Sequence, residues 1–131
     1  MGNQKNVGYE IFPKQKSDLG SVVRIGKNAV EVRVVRSDSE SPNRTIYMTS
    51  KGEYFEKQDL GNLTLPKQGM FLGRRTEVVF NYDASRTLEG LIVRDDADKP
   101  HITLIKLEDN RIISGEECQY SPDAEPKVNL N

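Results

Sequence analysis

Four runs decide how this chain is read: Thr76-Glu-Val-Val-Phe-Asn-Tyr82, Leu88-Glu-Gly-Leu-Ile-Val-Arg94, His101-Ile-Thr-Leu-Ile-Lys-Leu107 and Arg111-Ile-Ile-Ser114. Each is short and apolar, and Asp, Asn, Gly or Pro separates it from the next. β-Branched and aromatic side chains suit a pleated, half-buried surface, whereas those four separators favour turns. The spacing predicts a β-meander whose buried positions are Leu91, Val93, Ile102, Leu104, Ile105 and Ile112.

Strand signals continue on the N-terminal side. Val22, Val23 and Ile25 precede a Gly26-Lys27-Asn28 turn. From Ala29 to Arg36 the chain alternates, with Val30, Val32 and Val34 on one face and Glu31 and Arg33 on the other. Ser37 to Asn43 has nothing to bury and reads as a polar connector. Thr45 to Glu56 fits a hairpin about Lys51-Gly52 better than a helix over 51–60, although Ser50 and Glu53 match a capping box and Gly61 could close that helix. Gly52 inside the first helical turn decides against the helix. Residues 60–75 hold three Gly and one Pro among apolar residues, which excludes a long helix and predicts short, kinked strands. No internal repeat, heptad or low-complexity tract is evident.

Turns every eight to twelve residues or so predict an all-β fold: a single small barrel-like domain first, a β-sandwich second, each with a C-terminal meander. Its expected span is 20–120. Residues 1–19 form a polar N-terminal arm whose patch Tyr9, Ile11 and Phe12 could dock as an edge strand. Residues 121–131 form a tail expected to be disordered.

The chain has 131 residues, a common size for one domain, and 30% of them are charged. Its net charge of −1 exerts no general pull on nucleic acid. Cys118 is the single cysteine, and no signal peptide follows Met1; both favour a reducing, cytoplasmic location. Asn6 stands where a myristoylation signal needs Ser or Thr. No run is long enough to span a membrane.

Three places could carry chemistry. Lys67 to Arg75 is basic, flexed by glycine and holds an aromatic residue, so Lys67, Phe71, Arg74 and Arg75 could grip a single nucleic-acid strand. A two-residue turn at Asp109-Asn110 would set Leu107 opposite Ile112 and His101 opposite Cys118, a thiol–imidazole pair. A three-residue turn, Glu108-Asp109-Asn110 with Asn110 left-handed, would shift that register and separate them. Asp95, Asp96 and Asp98 cluster in a turn, but their spacing departs from an EF-hand and no metal is expected.

Two fragments resemble known families. Val79-Phe-Asn-Tyr-Asp-Ala-Ser85 looks like the opening motif of SH3 domains, but the chain has no Trp with which those domains hold Pro-rich ligands. Arg74-Arg75 with Asp83-Ala-Ser85 resembles the cyclic-dinucleotide motifs of PilZ barrels, but Leu88 stands where a Gly belongs and Gly90 comes later. Neither resemblance implies a function for this chain. The residues therefore point to a non-enzymatic β-domain, without cofactor, that binds another protein through loops or a strand edge. Single-stranded nucleic-acid binding through 67–75 is the alternative; the oligomeric state stays open.

Overall fold

The computed structural model describes residues 19–25, 28–38, 44–61 and 63–123. The patch Tyr9, Ile11 and Phe12, the Gly26-Lys27 pair, most of the polar connector and the tail from 124 lie outside the described residues. The chain is all-β, as the sequence predicts, with two antiparallel sheets and no α-helix among the described residues. It divides between Leu65 and Pro66 into two compact units.

The first unit holds β1 (Val22–Ile25), β2 (Val30–Arg36), β3 (Ile46–Thr49) and β4 (Tyr54–Glu56), hydrogen-bonded in that order. The alternation read in β2 is the one observed: Val32 and Val34 are buried, while Glu31 and Arg33 face water. Thr45 to Glu56 is the expected hairpin. Gly52 takes the left-handed conformation (φ +82°) that its tight turn needs, and a short 3₁₀ turn, Lys57–Asp59, follows β4. Val32, Val34, Ile46, Tyr54 and Phe55 form the core of this unit.

The second unit holds β5 (Arg75–Val79), β6 (Leu88–Asp95), β7 (Thr103–Leu107), β8 (Ile112–Ser114) and β9 (Gln119–Pro122). Their order, β8-β7-β6-β5-β9, is the predicted meander plus a last strand that returns to β5. Neither sheet closes into a barrel. β9 carries Ser121 and Pro122, which composition alone assigned to the tail. Among the described residues of 60–75 no strand forms before Arg75: a lone bridge joins Gln68 to Asp96, and turns follow. Asp95, through its carbonyl to the Gly69 N–H and its carboxylate to the Phe71 N–H, holds this path, a contact unreadable from composition.

Leu91 is not buried as expected but 41% exposed, and Val93 and Ile102 are half-buried. The inward row of β6 is Gly90, Ile92 and Arg94. This position is a glycine because Ile105 lies so close: a Cβ there would sit 2.6 Å from Ile105 Cγ2. Arg94 pairs with Leu104 beyond a register shift after Ile92 and is 1% exposed. Hydrophobicity alone assigns Leu91 to the core because the true inward row contains a glycine and an arginine.

The expectation of no internal repeat is overturned, because the two units are built alike. β2 pairs with β3 through a register shift between Val34 and Arg36, and β6 pairs with β7 through the same shift between Ile92 and Arg94. In each unit the arginine after the shift closes a buried fork onto an aspartate two residues on. The distances are 3.2 and 2.9 Å for Arg36–Asp38 and 2.9 and 3.0 Å for Arg94–Asp96. A left-handed glycine precedes the first strand of each sheet, Gly20 (φ +88°) or Gly73 (φ +85°), and its N–H donates to the carbonyl of Val34 or Ile92. Each ends its fourth strand in a capped 3₁₀ turn, closed by Glu56 and Asp59 in the first unit and by Ser114 and Glu117 in the second.

Candidate binding surface

The repeat makes one difference between the units informative. In the second unit β9 pairs along the outer edge of β5: Thr76 opposes Pro122, Glu77 opposes Ser121 and Val78 opposes Tyr120. In the first unit β1 stands where β5 stands, and among the described residues no strand pairs with its outer edge. Counting from Gly20 and Gly73, Val23 is the counterpart of Thr76. Both lie on the core side of their strand, Val23 opposite Val32 and Thr76 opposite Gly90. Yet Thr76 is 1% exposed and Val23 37%, and Val22 beside it is 49% exposed. The exposed residue of the two is the apolar one, on a strand edge whose counterpart, the edge of β5, is covered by β9.

Local chain paths explain the difference. After its 3₁₀ turn the second unit continues through buried Cys118 into β9. After its own 3₁₀ turn the first unit reaches Leu60 and Gly61, and residues 63–65 run into Pro66 without strand pairing. The segment that would return to β1 is used instead as the connector. On the outward face of the same sheet Val22 pairs across to Arg33 and Arg33 to Met48. These three line an open cleft of about 470 Å³ together with Glu31, Ser50 and Gly52.

Lys67, Phe71, Arg74 and Arg75 lie along the entry to the second unit, with Lys67 and Phe71 exposed. Asp95 organises this loop: its carbonyl accepts the Gly69 N–H at 2.6 Å and its carboxylate the Phe71 N–H at 3.0 Å. Gln68 fastens the other side, accepting the Asp95 N–H at 2.7 Å and donating to the Asp96 carboxylate at 2.8 Å. The Arg74 guanidinium lies 5.3 Å from the Phe71 ring centroid and donates to the Asp123 carbonyl at 3.1 Å. Arg75 makes an exposed pair with Glu89 at 3.4 Å. What the loop presents at its tip is apolar: Met70, Phe71 and Leu72 are all exposed.

Neither of the other two candidate centres comes together among the described residues. The β7–β8 loop is the three-residue form, with Asn110 left-handed (φ +75°), so Leu104 opposes Ser114 and Lys106 opposes Ile112. The register that would set His101 against Cys118 is not adopted, and the 3₁₀ turn Gly115–Glu117 intervenes. Gly115 opens that turn because the Tyr120 ring and Thr103 Cβ occupy the space of a side chain. Burial, with the Glu117 charge behind it, pushes the Cys118 thiol up to about 12, so it stays protonated at neutral pH. Asp96 is held by Arg94 and Asp95 by the loop, and no group of metal-ligating side chains converges among the described residues.

The SH3-like fragment Val79–Ser85 covers the end of β5 and the loop after it, where the Tyr82 N–H donates to Gln119 Oε1 at 2.7 Å. Asp83 and Ser85, shared with the second resemblance, bond one another. Those bonds, led by the Ser85 hydroxyl, hold the Asp83 carboxyl below its ordinary value. No helix among the described residues is long and apolar enough to cross a membrane. No family model, curated protein or solved structure matches the chain.

The β1 edge was open to sequence reasoning through the repeat. Pro13-Lys14-Gln15 with Leu19-Gly20 recurs as Pro66-Lys67-Gln68 with Leu72-Gly73, and Val35-Arg36 with Asp38 recurs as Val93-Arg94 with Asp96. The identities are sparse, and the longer loop between β5 and β6 breaks their spacing.

Proposed function

We propose that this is a non-enzymatic β protein that binds another protein by accepting a strand along the outer edge of β1. The carrying observation is the contrast between Val23, exposed, and its counterpart Thr76, covered by β9. An open strand edge presents unpaired N–H and C=O groups that a partner's extended segment can use, and natural edges are normally protected for that reason.

Hydrogen exchange combined with partner capture tests the reading. In the isolated protein the outward amides of Val22 and Arg24 should exchange quickly; in a complex formed in host extract they should become protected. Arg24→Pro removes an outward N–H, which an edge strand tolerates, and should abolish capture while leaving the fold intact. Capture unaffected by Arg24→Pro, or fast exchange at both amides in the complex, would count against strand addition.

Single-stranded nucleic-acid binding through 67–75 draws less support. Arg74 is engaged by Phe71 and Asp123, Arg75 faces Glu89, and Asp95 takes up two of the loop's N–H groups. Salt-sensitive oligonucleotide binding that disappears in an Arg74→Ala/Arg75→Ala variant would restore it.

A further inference from the structure

Resting on the β1-edge reading, we infer that the accepted segment is a short linear peptide of a partner protein. It runs antiparallel to β1, with an apolar residue opposite Ile25, then an acidic residue opposite Arg24, then an apolar residue or proline opposite Val23.

The second unit supplies the template. β9 reads Tyr120, Ser121, Pro122 against Val78, Glu77 and Thr76, and the Asp123 N–H then donates to the Arg75 carbonyl at 2.8 Å. The corresponding β1 positions are Ile25, Arg24, Val23 and Val22. In an antiparallel pair the backbone groups of alternate residues point to opposite edges. The Ser21 carbonyl accepts from Val34 on the β2 side, as the Arg74 carbonyl accepts from Ile92 on the β6 side. Val22 and Arg24 therefore offer their backbone groups outward, as Arg75 does to Asp123.

Side chains set the preference. Val23 and Ile25 lie on the core side, opposite Val32 and Val30, so the ligand residues facing them complete an apolar layer. Arg24 lies on the outward face, with Glu31 of β2 opposite it on one side and the open edge on the other, where the second unit has Glu77 between Glu89 and the neutral Ser121. Opposite charges directly across a ladder stabilise it and like charges oppose it, so beside Arg24 a ligand carboxylate is favoured over a lysine even with Glu31 already in place.

A second copy of the chain fits less well. β1 has only four residues, an edge of roughly 13 Å at about 3.3 Å per residue. Such an edge, paired with its own copy, falls far short of the roughly 1,200 Å² that stable protein interfaces bury. A peptide that gains most from main-chain hydrogen bonds is not bound by that requirement.

The test uses the full chain and two synthetic peptides with the sequence of residues 117–123 and Cys118→Ser. One carries Ser121→Asp, the other Ser121→Lys. β5 is already occupied by its tethered strand, whose effective concentration disfavours exchange, so the peptides report on β1. The Asp peptide should protect the Val22 and Arg24 amides and bind about fivefold more tightly than the Lys peptide. Arg24→Glu should invert that order. Arg24→Pro, with circular dichroism and amide dispersion unchanged, should bind neither.

Equal binding of both peptides would overturn the ligand chemistry and leave the edge reading standing. The ligand chemistry alone also falls if neither peptide binds while Arg24→Pro still abolishes partner capture. If neither binds and capture is unaffected, both readings fall. Val22 and Arg24 amides already protected in the protein alone would show the edge occupied by the chain itself, or by a second copy if protection rises with concentration. Either result overturns the peptide proposal.

Discussion

Arg94 and Asp96 share two hydrogen bonds in a site almost closed to water, and Gln68 donates to the same carboxylate. Removing one member of a buried ion pair leaves the other charge uncompensated, which costs about 3–5 kcal/mol. Asp96→Ala should therefore destabilise the second unit by that much in urea titrations, and Asp38→Ala should act likewise on the first. An Arg94→Met/Asp96→Leu double variant should recover most of the loss, because apolar replacement of a whole buried pair is close to neutral. Cys118 gives a second residue-level prediction. Its thiol is raised from 9.0 to about 12 in the folded chain, so between those values the unfolded chain releases a proton that the folded chain retains. That contribution is present in full below pH 9 and is lost as pH rises toward 12. Denaturant titrations across this window should show wild type losing more stability than Cys118→Ala, and iodoacetamide at neutral pH should label Cys118 only once the chain unfolds. Neither the fork nor the buried thiol was legible in the sequence. Arg94 and Asp96 read as surface charge, because nothing in their spacing announces the buried fork that joins them.

At the scale of elements, the predictable parts are those where pattern and burial agree. β2 alternates strictly, and the Thr45–Glu56 hairpin turns on a glycine that needs a positive φ; both are as expected. The β7–β8 loop was legible only as a choice between two turn lengths, and the left-handed Asn110 marks the longer one. β6 misleads because its core-facing row contains Gly90, which is there for lack of space. Gly90→Ala should force Ile105 aside and cost about 1–3 kcal/mol, an overpacking penalty readable in thermal unfolding. Of the four residues proposed for a basic site, the structure brings Phe71 and Arg74 together and turns Arg75 toward Glu89. The sequence could not show this, because the partners Asp123, Glu89 and Asp95 are distant in the chain.

At the scale of the whole chain, the division into two compact units predicts separable stabilities. Native-state hydrogen exchange should find β1 the least protected of the strands that begin a unit, with β5 slower because β9 covers its edge. The same architecture also creates a sorting problem during folding. Each of β2 and β6 meets two candidate neighbours of matching register, and tandem repeats are prone to swapped pairing. Complementary volumes distinguish the correct partners. Val32 opposes Thr49 in one sheet, whereas Gly90 opposes Leu107 in the other. A crossed pairing would set glycine against threonine and leave a void, or valine against leucine and overfill the layer. Divergence between the repeats at these positions thus works as an address, directing each strand to its own sheet while the chain is still choosing.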